Sequence, residues 1–253
     1  MIALAHPERY GAALVTLVVC AALCAAARYR PGRWTFVVAR VLAVALVLNL
    51  VIWQIVTVRG GTWNASGDLM VDLCPLANLV TAAALWSPGP LLVELAYFWA
   101  CAGTIQGVLQ PDARWSFPSY FYFQFYIDHS GVVAAALFLV VGLRMAPRPH
   151  AVWRVFALTV AFAGVAAVVD VLTDGNYMFL RGKGPAGTLL DVMGPWPWYI
   201  ASAAGLALIL LLVLDAPFRL ARRRAQRGAE VGLTLAAQRS VLEAAVPGTG
   251  GAK

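Results

Sequence analysis

Seven times along the chain, apolar side chains run on for about 17–25 residues, the length that carries an α-helix across a bilayer. The stretches cover roughly residues 11–28, 35–57, 69–87, 90–109, 126–146, 152–174 and 196–217. Short polar breaks separate them. The third and fourth share only the hinge Ser87-Pro88-Gly89, which predicts a tight helical hairpin. The fifth carries Asp128 and His129 in its expected first turn. What is left over amounts to loops near 58–68, 110–125 and 175–195 and a tail from 218 to 253, with no room for a soluble domain. No internal repeat is visible. The expected organisation is therefore all-α and polytopic, with one seven-helix membrane domain over 1–217 and a basic tail over 218–253.

Composition strengthens this reading. Of the 253 residues, 61% are hydrophobic and 12% charged, with a mean hydropathy of +0.76. Soluble domains carry about a quarter charged residues, and surface-to-volume scaling does not let a chain of this size hide so much apolar surface from water. The first stretch has the small residues Ala25-Ala26-Ala27 that a signal peptidase could use. It lacks the basic leader of a signal peptide, because Glu8 stands against Arg9, and Arg28, Arg30 and Arg33 follow it directly. It reads as a retained span.

Charge then sets the orientation. Seven spans divide the loops into two sets. One holds Arg28, Arg30, Arg33, Arg144, Arg148, Arg154, Arg219, Arg222, Arg223, Arg224 and Arg227; the other holds Arg9, Arg59, Arg114, Arg181 and Lys183. Eleven clustered positive charges against five place the first set in the cytoplasm and the N-terminus outside. The net charge of +7 is thus a topology signal and not a nucleic-acid footprint. The cluster from Arg219 to Arg227 adjoins the last span, where each basic residue contributes up to about 1 kcal/mol against anionic inner-leaflet lipid. Beyond it, Val231, Leu233, Leu235, Val241 and Leu242 sketch a weak amphipathic helix, followed by a disordered Pro-Gly-Thr-Gly-Gly end.

Polar groups inside the spans carry the candidate chemistry. An Asp at the centre of a membrane helix costs roughly 2.5–3.5 kcal/mol on insertion scales, so such residues mark function or a paired interior. On this topology Asp72 and Cys74 (third span), Gln106 (fourth), Gln124, Asp128, His129 and Ser130 (fifth), Asp170, Asp174, Asn176 and Tyr177 (sixth) and Trp196 and Trp198 (seventh) all lie towards the outer side. Glu94 lies towards the inner side. Residues distant in sequence thus meet at one level.

Cys20 and Cys24, one turn apart on the first span, and Cys101, between Ala100 and Ala102, read as small packing residues. Cys74 differs, standing between Asp72 and Pro75 at a helix start, a position that favours a thiolate. With only His6, His129 and His150 available, a three-histidine zinc site is out of reach, and no cofactor or metal is expected. His129 is the one outer-side imidazole.

Several strings also carry a resemblance. Glu94-Leu95-Ala96-Tyr97-Phe98-Trp99, Gln106 with Pro111-Asp112, Asp128-His129, Asn176-Tyr177-Met178-Phe179-Leu180 and Gly194-Pro195-Trp196-Pro197-Trp198-Tyr199 resemble the YwaF-like bacterial integral membrane proteins over about residues 40–215. That family is similar to a eukaryotic transmembrane protein implicated in phospholipid acyl transfer. More distantly, it is similar to the androgen-induced hydrolases of fatty-acid esters. The resemblance implies a multi-pass protein of the bacterial plasma membrane with a lipid acyl chemistry, Cys74 falling on the relative's nucleophile and His129 on the family's histidine. Where many members read His-Leu-Cys-Asp, this chain reads Asp72-Leu73-Cys74-Pro75.

The expected activity is a lipid acyltransferase or esterase near the outer leaflet. Cys74 attacks, His129 takes its proton, and Asp128 or Asp170 balances the imidazolium. Asn176 and Tyr177 are the expected oxyanion donors, Asp72 and Gln106 further substrate contacts, and Trp196 and Trp198 interface anchors. The alternatives are a proton- or cation-coupled transporter using Asp72, Asp128 and Asp170, or a non-catalytic scaffold.

Overall fold

Backbone amides in hydrocarbon have no water to bond, so an apolar segment satisfies them internally as a helix. The computed structural model describes residues 7–109, 117–184 and 189–245. Among them are seven helices and no strand: α1 Pro7–Tyr29, α2 Arg33–Arg59, α3 Leu73–Trp86, α4 Pro90–Leu109, α5 Tyr120–Gly142, α6 Ala151–Thr173 and α7 Trp198–Ala245. Five are long and apolar enough to cross a membrane: α2, α4, α5, α6 and the first part of α7. The apolar part of α1, Leu14–Tyr29, and α3 are shorter. The chain is an all-α polytopic membrane protein.

α3 lies against α2, α4 and α5, and α5 also meets α1 and α2. Small side chains let these helices approach closely: Ala77, Ala84, Ala96, Ala100, Ala135 and Ala136 are fully buried. Leu48, Val51, Ile55, Val165 and Val171 point outward, which in lipid leaves apolar surface against acyl chains. Two helices widen locally into π turns, at Trp99–Thr104 in α4 and Phe138–Gly142 in α5.

Two helix starts differ from the expected ones, and both differences change where the polar groups stand along their helices. α5 begins at Tyr120, not near 126, because Ser119 caps it: its Oγ accepts from the Tyr122 amide at 3.3 Å. Asp128 and His129 therefore sit in the third turn instead of the first, about 12 Å along the axis at 1.5 Å per residue. α3 begins only at Leu73, four residues after the expected 69, and at 14 residues it is about 21 Å long. Pro75 falls in its first turn, where a missing amide hydrogen costs nothing. Asp72 is at the N-cap of the helix and Cys74 is in its first turn.

Arg28, Arg40, Arg144, Arg148 and Arg154 gather at one end of the bundle. Arg28 donates to the Val141 carbonyl and Arg144 to that of Arg28. Arg40 donates to the Trp86 carbonyl. Buried Glu94 on α4 accepts from the Arg148 amide and guanidinium and from Arg154, at 2.8–3.2 Å. At the other end the 60–72 and 174–182 loops bind one another.

Residues from Asp215 onward form a separate compact unit. Within it the Asp215 carboxylate accepts from Arg219 Nε at 2.5 Å and from Arg222 at 3.2 Å. Pro217 is inside α7 and does not end it. Val231, Leu233 and Leu235 are exposed. The expected disordered end at 247–251 and Arg114 lie outside the described residues.

Candidate functional site

The short start of α3 sets up the site. Cys74, Asn78 and Thr81 are spaced i, i+4 and i+7, which puts them on one face of the helix. Facing them are α4 and α5. Asn78 and Thr81 are fully buried, as is Thr104 on α4, and Asp128 on α5 is 5% exposed. The Asn78 amide donates to Asp128 Oδ1 at 2.5 Å. The Cys74 thiol lies beside the Thr104 hydroxyl, within electrostatic range of Asp128 and Asp72. A thiol, two hydroxyls, a carboxamide and a carboxylate thus stand as a buried polar cluster on the packed faces of three helices. Three atoms there close no hydrogen bond of ordinary geometry: Asn78 Oδ1, Thr81 Oγ1 and Thr104 Oγ1. Buried polar atoms are seldom left this way, and together they suit a ligand's polar group.

Consecutive helical residues point about 100° apart, so Asp128 and His129 face different neighbours. Asp128 reaches α3. His129 reaches α4, where its ring occupies the space of an absent side chain: a Cβ on Gly107 would stand 2.8 Å from Nε2 and 2.3 Å from Cδ2. The imidazole stacks on Phe125, ring centres 4.1 Å apart. Its Nδ1 lies 2.9 Å from the Phe125 carbonyl and 3.6 Å from Asp128 Oδ2. A carbonyl can only accept, so Nδ1 carries a hydrogen.

The other candidate residues form a second group, a cover woven from two loops. Asp170 Oδ1 accepts from the Tyr177 amide at 2.6 Å, and Asp72 Oδ1 accepts from the Met178 amide at 2.7 Å. The Tyr177 hydroxyl donates to the Ala65 carbonyl at 2.8 Å and accepts from the Leu69 amide at 3.0 Å. Burial first, and then the carboxylates around it, push that phenol above its ordinary range, so it is a hydrogen donor at physiological pH. Asn176 Oδ1 accepts from the amides of Arg181 and Gly182. Met178 and Phe179 adopt left-handed backbone, φ 53° and 56°, a conformation that side-chain-bearing residues keep only when neighbours hold it. Trp196 donates to the Leu180 carbonyl at 3.0 Å and Tyr199 to that of Phe179.

The structure therefore brings Cys74 and Asp128 together, with His129 beside Asp128. Asp72, Asp170, Asn176 and Tyr177 meet one another in the cover, and Asp72 borders both groups. Gln106 is exposed on α4, and Trp196 and Trp198 are 62% and 70% exposed, as interface anchors would be. Cys20 and Cys24 are buried, and all four cysteines are free thiols. The cluster residues absent from the sequence-level reading are Asn78, Thr81 and Thr104. The spacing Cys74, Asn78, Thr81 in an otherwise apolar helix is the signal that could have found the first two.

The sequence model of the TMEM164 family matches residues 2–215, a span that takes in the cluster and its cover. No curated protein and no solved structure matches the chain.

Proposed function

The chain belongs to the TMEM164 family of membrane proteins, and on that premise we propose that it transfers or hydrolyses acyl groups of membrane lipids through a thioester on Cys74. The observation that carries this reading is the placement of the Cys74 thiol beside Thr104 and Asp128 in a buried polar cluster within the apolar bundle. The resemblance of the chain to YwaF-like proteins, and through them to a phospholipid acyl-transfer protein, supports the same chemistry.

The residues divide the work as follows. His129, its ring stacked on Phe125 with Nε2 against Gly107 of α4, is the base in this reading and turns towards α3 to take the Cys74 proton. Asp128, 3.6 Å from Nδ1, balances the imidazolium. The thiolate attacks the carbonyl carbon of a lipid ester; the C–S bond forms, and the bond from that carbon to the glycerol oxygen breaks. The imidazolium returns its proton to the leaving alkoxide, giving a lysolipid hydroxyl and an acyl-thioester. A second lysolipid hydroxyl then takes the acyl group (transfer), or water does (hydrolysis). The Thr104 hydroxyl is the donor for the carbonyl oxygen as it gains charge, a role worth about 2.7–4 kcal/mol per donor in other acyl-transfer sites. Asp72, Asp170, Asn176 and Tyr177 hold the cover, and by excluding water they favour transfer over hydrolysis.

Purified protein in liposomes containing a phospholipid with a fluorescent acyl chain tests this reading. Wild type moves the label to an added lysophospholipid, and Cys74→Ala stops the transfer; equal turnover by Cys74→Ala overturns it. Coupled transport along Asp170, Asp72 and Asp128 predicts instead an ion flux that Cys74→Ala leaves intact.

A further inference from the structure

At the arginine-rich end, α2 and α3 part to leave an apolar groove of about 570 Å³, lined by Ala43 and Val47 of α2, Leu79, Ala83 and Trp86 of α3, and Leu92 of α4. Its volume is that of a small-molecule site. The walls are open to the surroundings, with Val47 and Leu79 each 38% exposed and Trp86 54%. Beside the groove, against its wall residue Trp86, stands Arg40, seven residues into α2 and so about 10 Å along its axis.

Arg40 is the unusual element, a guanidinium within an apolar span. Its Cζ lies 4.3 Å from the centre of the Trp86 ring and 4.5 Å from that of Phe36, and it donates through one nitrogen to the Trp86 carbonyl. Two aromatic faces hold the planar group in place. Of its five N–H donors only that one bond is made among the described residues, and no carboxylate among them pairs with it. Glu94, the buried acid of this end, is taken by Arg148 and Arg154. A half-buried cation without a counter-ion among the described residues, beside an apolar slot, calls for an anion carrying an acyl tail.

We propose that this groove binds a glycerophospholipid of the cytoplasmic leaflet, one acyl chain lying between α2 and α3 and the phosphodiester oxygens accepting from Arg40. The site uses the α2 side of α3 and shares no residue with the Cys74 cluster, so it stands independently of the acyl-transfer reading. A planar guanidinium matches two phosphate oxygens, whereas an ammonium makes a point contact.

Native mass spectrometry of the detergent-solubilised full chain tests it, with dipalmitoyl phosphatidylglycerol and dipalmitoyl glycerol as probes. The two share acyl chains and differ in the phosphate. Wild type retains the phospholipid roughly tenfold more than the diacylglycerol, the scale of one charge-assisted hydrogen-bonded contact. Arg40→Gln falls to the diacylglycerol level, Arg40→Lys keeps part of the preference, and Ala83→Phe, which fills the slot from its exposed side, loses both lipids. Equal retention of the two lipids by wild type, a comparison that needs no variant, overturns the proposal. So does phospholipid retention by Arg40→Gln at the wild-type level. A dimer that Ala83→Phe dissociates would put a second copy of the chain in the groove and overturns it equally.

Discussion

Asn78 on α3 gives its side-chain amide to Asp128 on α5 across 2.5 Å, and both residues are shut off from the surface of the bundle. Through that bond a short helix with a thiol at its start is tied to the helix that bears the carboxylate–imidazole pair. Asp128 costs free energy to bury, and the amide is the partner that offsets it. The cluster therefore depends on Asn78 as much as on the residues assigned the chemistry.

Asn78→Ala is expected to lower unfolding stability by about 1–3 kcal/mol, the cost of a buried polar group left unsatisfied. Asp128→Asn keeps a carboxamide–carboxamide bond and costs less. In the Asn78→Ala/Asp128→Ala double variant the losses fall short of their sum, because the second change removes the group that the first stranded. Thermal unfolding of wild type, Asn78→Ala, Asp128→Ala and their double variant in one detergent gives this cycle. Additive losses would mean that the bond carries no energy.

Gly107 is small for the sake of His129. A methyl group there would stand 2.3 Å from the imidazole, so Gly107→Ala pushes the ring off Phe125 and out of line with Asp128. We expect a loss of about 1–3 kcal/mol, as for other overpacked sites, together with lost activity. In the His129→Ala background the same substitution is nearly silent for stability. Equal cost in both backgrounds would place the clash elsewhere.

Glu94 holds the loop between α5 and α6 through Arg148 and Arg154, and the charge pattern assigns that loop to the cytoplasm. Glu94→Gln frees the loop, so trypsin cuts after Arg144, which Met145 follows, faster in inside-out vesicles, while right-side-out vesicles protect it in both proteins. Cleavage in right-side-out vesicles would reverse the orientation.

Much of this was legible in the pattern of the chain. Apolar run lengths and arginine clusters were enough for seven helices and for which loops share an end, because lipid penalises charge along the whole of a span and not at one residue. Placement along the helices was harder. The apolarity of Leu69-Met70-Val71 suggests helix, but Asp72 turns to the Met178 amide, a partner 106 residues away, and the helix starts only after it. Likewise Tyr120 to Phe125 read as a loop until Ser119 is recognised as a cap, and the shift carries Asp128 further along its helix by more than a turn. Asn78, Thr81 and Thr104 looked like isolated polar residues, each tolerable alone in a membrane helix. Their convergence depends on how α3, α4 and α5 are rotated about their axes, which helix-level periodicity barely constrains when most faces are apolar. The cover is similar: the strings around Asn176 and Trp196 stand out in sequence, but their bonds to Asp72, Ala65 and Leu69 depend on tertiary contact.

The central claim is the nucleophilic role of Cys74. Its most direct test is the intact mass of the purified protein after brief incubation with a phospholipid of defined acyl chain. The account predicts a mass increase of one acyl group, removed by neutral hydroxylamine, located on the peptide that carries Cys74 and absent from Cys74→Ala. An acyl adduct that persists in Cys74→Ala, or lipid turnover by that variant at the wild-type rate, would contradict it.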